Sequence, residues 1–143
     1  SIWAMIDTDS RQPTDIYAVK EGLIEKYIET EKQCPIAPPS RVVMSHEIPM
    51  ARQIVTYYND VDINGQVNSV KYIDHVLDLF DLDYYRSHRL RRIDIAYVAE
   101  SHAGDTLCLY KEEVADGEYC VRITKKAVKE VEVVRCKVKF IKD

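Results

Sequence analysis

One strongly apolar helical period stands between a single strand-like segment and four more. Val67, Val70, Ile73, Val76, Leu77 and Phe80 keep a 3.6-residue spacing, while Lys71, Asp74, Asp78 and Asp81 fall on the other side. The spacing predicts a helix from about Val67 to Asp83. Upstream, Ile54–Tyr58 is rich in β-branched and aromatic residues and predicts a strand. Downstream, Ile93, Ile95, Tyr97 and Ala99 alternate with Arg92, Asp94, Ala96 and Val98, and Thr106–Val114 is the next strand candidate. Asp116-Gly117 is a hairpin signal leading into Glu118–Lys125. The last segment alternates at Val131 and Val133, then at Val134, Cys136, Val138 and Phe140, so its phase slips by one. Side chains alternate strictly across a strand, and such a slip predicts a β-bulge or sharp bend between 133 and 134. An antiparallel sheet wrapped around one long central helix would bury that helix on most sides.

Strand, helix, then four strands is the order of a hotdog fold, of class α+β. The chain of 143 residues is long enough for one such core, and 46% hydrophobic with 31% charged residues marks a globular protein. A net charge of −4 gives no reason to expect nucleic acid as a partner. Cys34, Cys108, Cys120 and Cys136 are scattered singly, with no histidine in ligand spacing. This argues against zinc or another metal, gives no sign of a cofactor, and suggests a reducing, cytoplasmic setting. No apolar run approaches the ~20 residues that span a bilayer, and no basic-then-apolar leader is present.

The N-terminal third is organised differently. Ser1–Ile6 predicts a strand, residues 7–13 a turn dense in Asp, Thr, Ser and Pro, and Val19–Ile28 a short amphipathic helix. Pro35, Pro38 and Pro39 forbid helix and central strand, so residues 33–48 are expected to be a linker. The expected division is 1–32, then the linker 33–48, then a complete domain over 49–143. A chain opening at Ser1 inside a strand-like run suggests the end of a preceding domain. Alone, such a piece is expected to expose an apolar edge and to dimerise or aggregate.

The chemistry is concentrated where the helix begins. Asp60-Val61-Asp62-Ile63-Asn64-Gly65-Gln66-Val67-Asn68-Ser69-Val70-Lys71-Tyr72-Ile73 packs acids, amides and glycine against an apolar helix. Either Asn64 or Asn68 can cap that helix. Free N–H groups and partial positive charge at a helix start suit a developing oxyanion, and Gly65 would let a substrate approach the backbone. The run resembles the D-x-D-x-N-x-H-V-N-N-x-x-Y-I signature of acyl-acyl carrier protein thioesterases of plant plastids and bacteria. Tyr97-Val98-Ala99-Glu100-Ser101 resembles the Y-x-x-E-C segment of the same family, and Trp3–Pro13 is similar to the end of the family's first hotdog domain. Members are tandem hotdogs, so the resemblance implies a second hotdog preceded by the tail of a first.

By resemblance, Asp62, Asn64 and Gln66 occupy the catalytic D-x-N-x-H positions and Glu100 the catalytic acidic position. Asn64 would orient the thioester or the attacking water, Glu100 would be the general base, and Asp62 would hold Asn64 or act as alternative base or nucleophile. Gln66 stands where the family has His, and an amide cannot take up a proton near neutral pH. Ser101 stands where plant members have Cys and is a far weaker nucleophile without an adjacent base. A carboxylate-activated water is therefore the expected mechanism, with Gln66 as a positioning group. Gly65, Asn68 and Ser101 are further substrate-binding candidates.

Plain structural roles compete at each position: a cap for Asn64, a turn for Asp62, a strand-end surface acid for Glu100, and surface or cap roles for His75, His88 and His102. Arg86–Arg92 is a basic cluster in an acidic protein, most simply a solvated surface. Its alternative use is to steer an acidic acyl carrier protein and its phosphopantetheine arm through Arg89, Arg91 and Arg92. Three functions remain open at this level: hydrolysis of acyl-carrier thioesters, hydrolysis of acyl-CoA by the same fold, and a non-catalytic hotdog that binds acyl chains or pairs with its neighbour. The expected partners are the acyl carrier protein and the protein's own first hotdog domain, or a second copy of the chain in a homodimer.

Overall fold

The computed structural model describes residues 2–143 in two compact units, the first ending at Pro38 and the second running Pro39–Asp143. In the first unit, the Asp7 carboxylate closes the expected turn. It accepts the N–H groups of Asp9 at 3.1 Å and Ser10 at 2.7 Å and the Ser10 hydroxyl at 2.8 Å. The Ser10 N–H is the main reason this carboxyl is held below its usual range. Ile6 and Pro13 meet as an isolated bridge, but residues 2–5 form no strand, and Ser1 lies outside the described residues. The helix expected over Val19–Ile28 does not form. Ile16–Tyr27 consists of 3₁₀ turns broken at Val19, which is extended, and at Lys20–Gly22, which are left-handed with φ of 48°, 55° and 73°. None of its residues is buried, and a short helix without a core against its apolar face is marginal in water.

The second unit is a five-stranded antiparallel sheet of β1 (Met50–Val55), β2 (His88–Tyr97), β3 (Thr106–Ala115), β4 (Glu118–Lys125) and β5 (Val131–Lys142). The spatial order is β1-β3-β4-β5-β2, so β1 and β2 are the edges. One face presents Leu107, Leu109, Val121, Ile123, Val134, Cys136, Val138 and Phe140 to a core shared with Tyr72, Val76 and Phe80. Burying each such side chain contributes about 1.5–3 kcal/mol. This is the α+β hotdog arrangement expected from the element order. Pro39–Pro49 forms no strand or helix but belongs to this unit, where the Ser45 N–H and hydroxyl donate to Glu112 at 3.1 and 2.8 Å. Cys108, Cys120 and Cys136 are buried and unbridged. Burial raises all three thiols, that of Cys136 to about 12.

The helical segment differs from its expected form. Instead of one helix to Asp83, α1 (Ser69–Leu77) stops and α2 (Leu82–Ser87) restarts. Asp81 causes the restart: its carboxylate accepts the Tyr84 N–H at 2.7 Å, an N-cap that ends one helix by starting another. Val67 lies before α1 in a bridge with Val61, so a phase counted from it does not carry into the helix. The buried stripe is Tyr72 and Val76, and Val70 is 58% exposed.

The slip at 133–134 is a bulge. Ile123 pairs with Val134 and Thr124 with Glu132, leaving Val133 without a β4 partner while both valines stay fully buried. The freed Val133 carbonyl accepts the N–H groups of Val98 at 2.8 Å and Ala99 at 3.3 Å, which directs the chain beyond β2 toward Glu100. β1 starts earlier than its composition suggests, at Met50, and Thr56 leaves it to donate its hydroxyl to the carbonyls of His102 (2.7 Å) and Asp105 (3.0 Å). No helix among the described residues is long and apolar enough to cross a membrane.

At the β3–β4 hairpin, Gly117 has φ +70°, and its carbonyl accepts the Phe140 N–H at 2.8 Å. A Cβ there would lie 2.8 Å from the Phe140 carbonyl oxygen. Gly117→Ala is therefore expected to destabilise the protein by about 1–3 kcal/mol, read as a lowered denaturant midpoint. An unchanged midpoint would contradict this account of the turn.

Candidate active site

The stretch before α1 folds into a loop around one carboxylate. Asp62 Oδ1 accepts the N–H groups of Asn64 at 2.8 Å and Gln66 at 3.2 Å, while the Asp62 N–H donates to the Gln66 carbonyl at 2.8 Å. Gly65, at φ +76°, closes the loop with its N–H on the Asp62 carbonyl at 3.0 Å. Its surroundings would leave room for a Cβ, so the need for glycine is conformational. Asn68 is the cap of α1: its Oδ1 accepts the Val70 N–H at 3.0 Å, and its own N–H goes to the Asp60 carbonyl at 2.8 Å. Asp60 is held in turn by the Tyr57 N–H at 2.7 Å, and His75 Nε2 approaches its Oδ1 to 3.4 Å without a hydrogen bond.

The loop is fastened to the segment after β2 through Ser101, which is 1% exposed. The Ser101 carbonyl accepts the Val67 N–H at 2.8 Å, and its hydroxyl makes a short hydrogen bond with the Tyr72 hydroxyl from α1. Gln66 and His102 form an antiparallel bridge beside this junction. One residue before it, the Glu100 carbonyl accepts Lys125 Nζ at 2.7 Å.

These contacts enclose a cleft of about 290 Å³ lined by Asp62, Gln66, Val67, Asn68, Ser69, Tyr72, Tyr97, Ala99 and Glu100. Tyr72 and Tyr97 line it with rings 6.1 Å apart and tilted 50°, and the Tyr97 hydroxyl donates to the Ser69 carbonyl at 3.3 Å. Burial pushes both phenols above their ordinary pKa, which makes them hydrogen-bonding groups and not bases at neutral pH. The cleft therefore combines two carboxylates (Asp62, Glu100), two amides (Gln66, Asn68), a helix start and an aromatic wall. That set can bind a polar carbonyl, place a water and take up its proton.

Of the residues singled out from sequence, Asp62, Gln66, Asn68 and Glu100 meet in this cleft. Asn64 is exposed on the loop between Asp62 and Gln66, and neither it nor Gly65 is among the lining residues. Ser101 is buried beneath the cleft, bonded to Tyr72. Arg89, Arg91 and Arg92 lie five to eight residues before Tyr97 along β2, roughly 17–26 Å away at ~3.3 Å per residue. Arg89 is paired with Asp143, and Arg92 with Asp94 at 2.8 Å.

Sequence reasoning missed Tyr72 and Tyr97 as lining groups, although both lie in the quoted signature segments. It also missed Lys125, which only the sheet register brings to Glu100. A larger, open groove of about 690 Å³ lies at Arg52, Asp78, Asp81 and Arg86. Its two arginines are paired, Arg52 with Asp78 at 3.5 Å and Arg86 with Asp83.

Ser101→Ala separates support from nucleophile. It would leave the buried Tyr72 hydroxyl unpaired, so a loss of about 1–3 kcal/mol is expected in denaturant unfolding, with turnover retained in the folded fraction. Unchanged stability with abolished turnover would make Ser101 a reacting group.

Residues 45–142 match the family model of the acyl-ACP thioesterase C-terminal domain. Among solved structures, an acyl-ACP thioesterase from Bacteroides thetaiotaomicron VPI-5482 is 39% identical with a TM-score of 0.83, the match covering 95% of this chain and 53% of that one. The 12:0-ACP thioesterase from Umbellularia californica is 17% identical with a TM-score of 0.71, covering 96% of this chain and 53% of that one. The hexameric thioesterase y2039 from Yersinia pestis shares the fold at 11% identity and a TM-score of 0.59, covering 69% of this chain and 89% of that one. No curated protein matches by sequence. The chain thus spans about half the length of the two acyl-ACP thioesterases. On the family model and the 39% identical relative, the chain belongs to the acyl-ACP thioesterase family, with residues 45–142 matching its C-terminal domain.

Proposed function

We propose that the full-length protein hydrolyses fatty acyl-[acyl carrier protein] to free fatty acid and carrier protein in the cytoplasm, using the cleft at the start of α1. In this reading residues 1–32 are the tail of a preceding hotdog domain that contributes to the acyl-chain pocket, and residues 49–143 supply the chemistry. The observation that supports it most is the meeting of Asp62, Gln66 and Glu100 in one cleft against a helix N-terminus.

Glu100 is the general base. It takes a proton from a water molecule whose oxygen attacks the thioester carbonyl carbon. The developing oxyanion is stabilised by the start of α1 and the Gln66 amide. Collapse of the tetrahedral intermediate breaks the carbon–sulfur bond, and the thiolate leaves with the proton from Glu100, giving acid and thiol from thioester and water. Asp62 holds the loop through the Asn64 and Gln66 N–H groups on Oδ1. Its other oxygen makes Asp62 the alternative base. Gln66 takes up no proton in this scheme, since an amide is not a base near neutral pH.

The test is hydrolysis of acyl-carrier and acyl-CoA thioesters by the full-length protein. Glu100→Ala is expected to lower kcat by about 100-fold or more, and Asp62→Ala to lower it together with the order of the loop. Asn64→Ala separates a residue that orients substrate from one that only shapes the loop: a fall in kcat assigns it the family's role, and an unchanged rate leaves it structural. Wild type inactive on both thioesters would defeat the enzyme reading. Full activity in Glu100→Ala would remove Glu100 as base, and a large gain in Gln66→His would identify a weakened catalyst.

A further inference from the structure

Thioester hydrolysis must deliver a proton to the departing sulfur, and the Gln66 amide cannot carry one. The chain has four histidines, at positions 46, 75, 88 and 102. His46 belongs to the irregular segment before β1. His88 begins β2 and stacks on Tyr84 with ring centroids 4.1 Å apart, and His75 Nε2 lies 3.4 Å from Asp60 Oδ1. His102 is placed differently. It forms the antiparallel bridge with Gln66, a residue of the cleft wall.

The pairing decides which way its side chain goes. The Val67 N–H donates to the Ser101 carbonyl at 2.8 Å, a bond that flanks the Gln66–His102 pair. Partners in an antiparallel bridge carry their side chains on one face, with Cβ atoms about 4.5–5.5 Å apart. Burial alternates as that register demands: Val67 and Ser101 are buried, while Glu100 and His102 are exposed and Gln66 is half-buried. Glu100 and His102 are two residues apart, about 6.4–6.8 Å along an extended chain, within side-chain reach of each other. The His102 backbone is held from two sides. Its N–H donates to Asp105 Oδ2 at 2.8 Å, and its carbonyl accepts the buried Thr56 hydroxyl at 2.7 Å and the Asp105 N–H at 3.1 Å. His102 thus stands at the exposed rim of the cleft, next to two residues of its wall.

We propose that His102 is a further catalytic residue, the acid that protonates the leaving thiolate. The proposal rests on the thioesterase reading above and completes its proton path. Glu100 takes a proton from the attacking water as the water oxygen bonds the carbonyl carbon. Glu100 then passes that proton to one imidazole nitrogen of His102. The carbon–sulfur bond breaks with its electron pair going to sulfur, and the other imidazole nitrogen gives the sulfur a proton. Both side chains end ionised as they began, and thioester plus water has become acid plus thiol. An imidazole is intermediate in basicity between a carboxylate and a thiolate, so each transfer runs downhill.

The experiment compares full-length wild type with His102→Ala, His102→Gln and Glu100→Ala. Each is assayed on one acyl group carried by acyl carrier protein, by N-acetylcysteamine and by thiophenol. The first two release an alkyl thiolate that needs a proton, whereas the aryl thiolate is a weak base that leaves unaided. Both His102 variants are expected to lose about 100-fold in kcat on the two alkyl thioesters. On the thiophenol ester they should stay within about twofold of wild type, while Glu100→Ala loses rate on all three. The ratio of alkyl to aryl rates within one preparation does not depend on its folded fraction, so a fold defect cannot imitate this result. An active wild type with unchanged alkyl kcat in the His102 variants, or with equal losses on alkyl and aryl thioesters, would overturn the role of His102 and leave the thioesterase reading standing. Wild type inactive on all three thioesters would reject that reading and the role of His102 with it.

Discussion

Ser101 fastens the two halves of the site to each other. Its carbonyl takes the Val67 N–H from the loop before α1, and its buried hydroxyl bonds Tyr72 in the helix. Asp62, Gln66 and Asn68 belong to one side of that junction and Glu100 to the other, 32 residues further along the chain from Asn68. Together with the neighbouring Gln66–His102 bridge, this junction holds a carboxylate from the strand side against the mouth of the helix. Buried polar pairs of this kind are costly when half satisfied and rigidifying when complete. The residue occupying a cysteine position of the family signature is thus best understood here by what it supports.

The same end of the sheet gathers several independent irregularities. The bulge at Val133 frees a carbonyl that turns the chain after β2, Thr56 leaves β1 to hold the His102–Asp105 turn, and Lys125 closes over Glu100. Regular pairing would continue straight past the cleft. Bulges and strand ends re-aim side chains, and in this domain the carboxylate they aim is Glu100. The opposite end of the sheet carries ordinary surface charge, largely neutralised in pairs such as Arg89 with Asp143.

Much of the fold was legible because strand alternation and the single apolar helix are strong local signals. The Asp116-Gly117 hairpin and the slip at 133–134 were both readable, since each breaks or redirects a strict two-residue period. The helix phase was not, because Val67 looks like its first apolar residue but belongs to a bridge with Val61, and Asp81 caps a second helix. Val19–Ile28 has helical spacing yet buries nothing, and spacing alone cannot supply a core. At the site, Asp62, Gln66 and Glu100 were visible through a resemblance. Lys125 was invisible because its relation to Glu100 exists only in the sheet register, and Arg86, Arg89 and Arg92 stood out because sequence shows charge without the carboxylates that pair with it.

The central claim is that a thioester binds at the mouth of α1 with its carbonyl facing Gln66 and the helix start and with Glu100 in reach of the attacking water. The most direct measurement is a crystal structure of the full-length protein with a non-hydrolysable acyl-thioester analogue. The account predicts the analogue's carbonyl oxygen within hydrogen-bond distance of the Gln66 amide or the first N–H groups of α1, and a water between it and the Glu100 carboxylate. An analogue seated with its carbonyl away from Asp62, Gln66 and Glu100, in the Arg52–Arg86 groove or elsewhere, would contradict it.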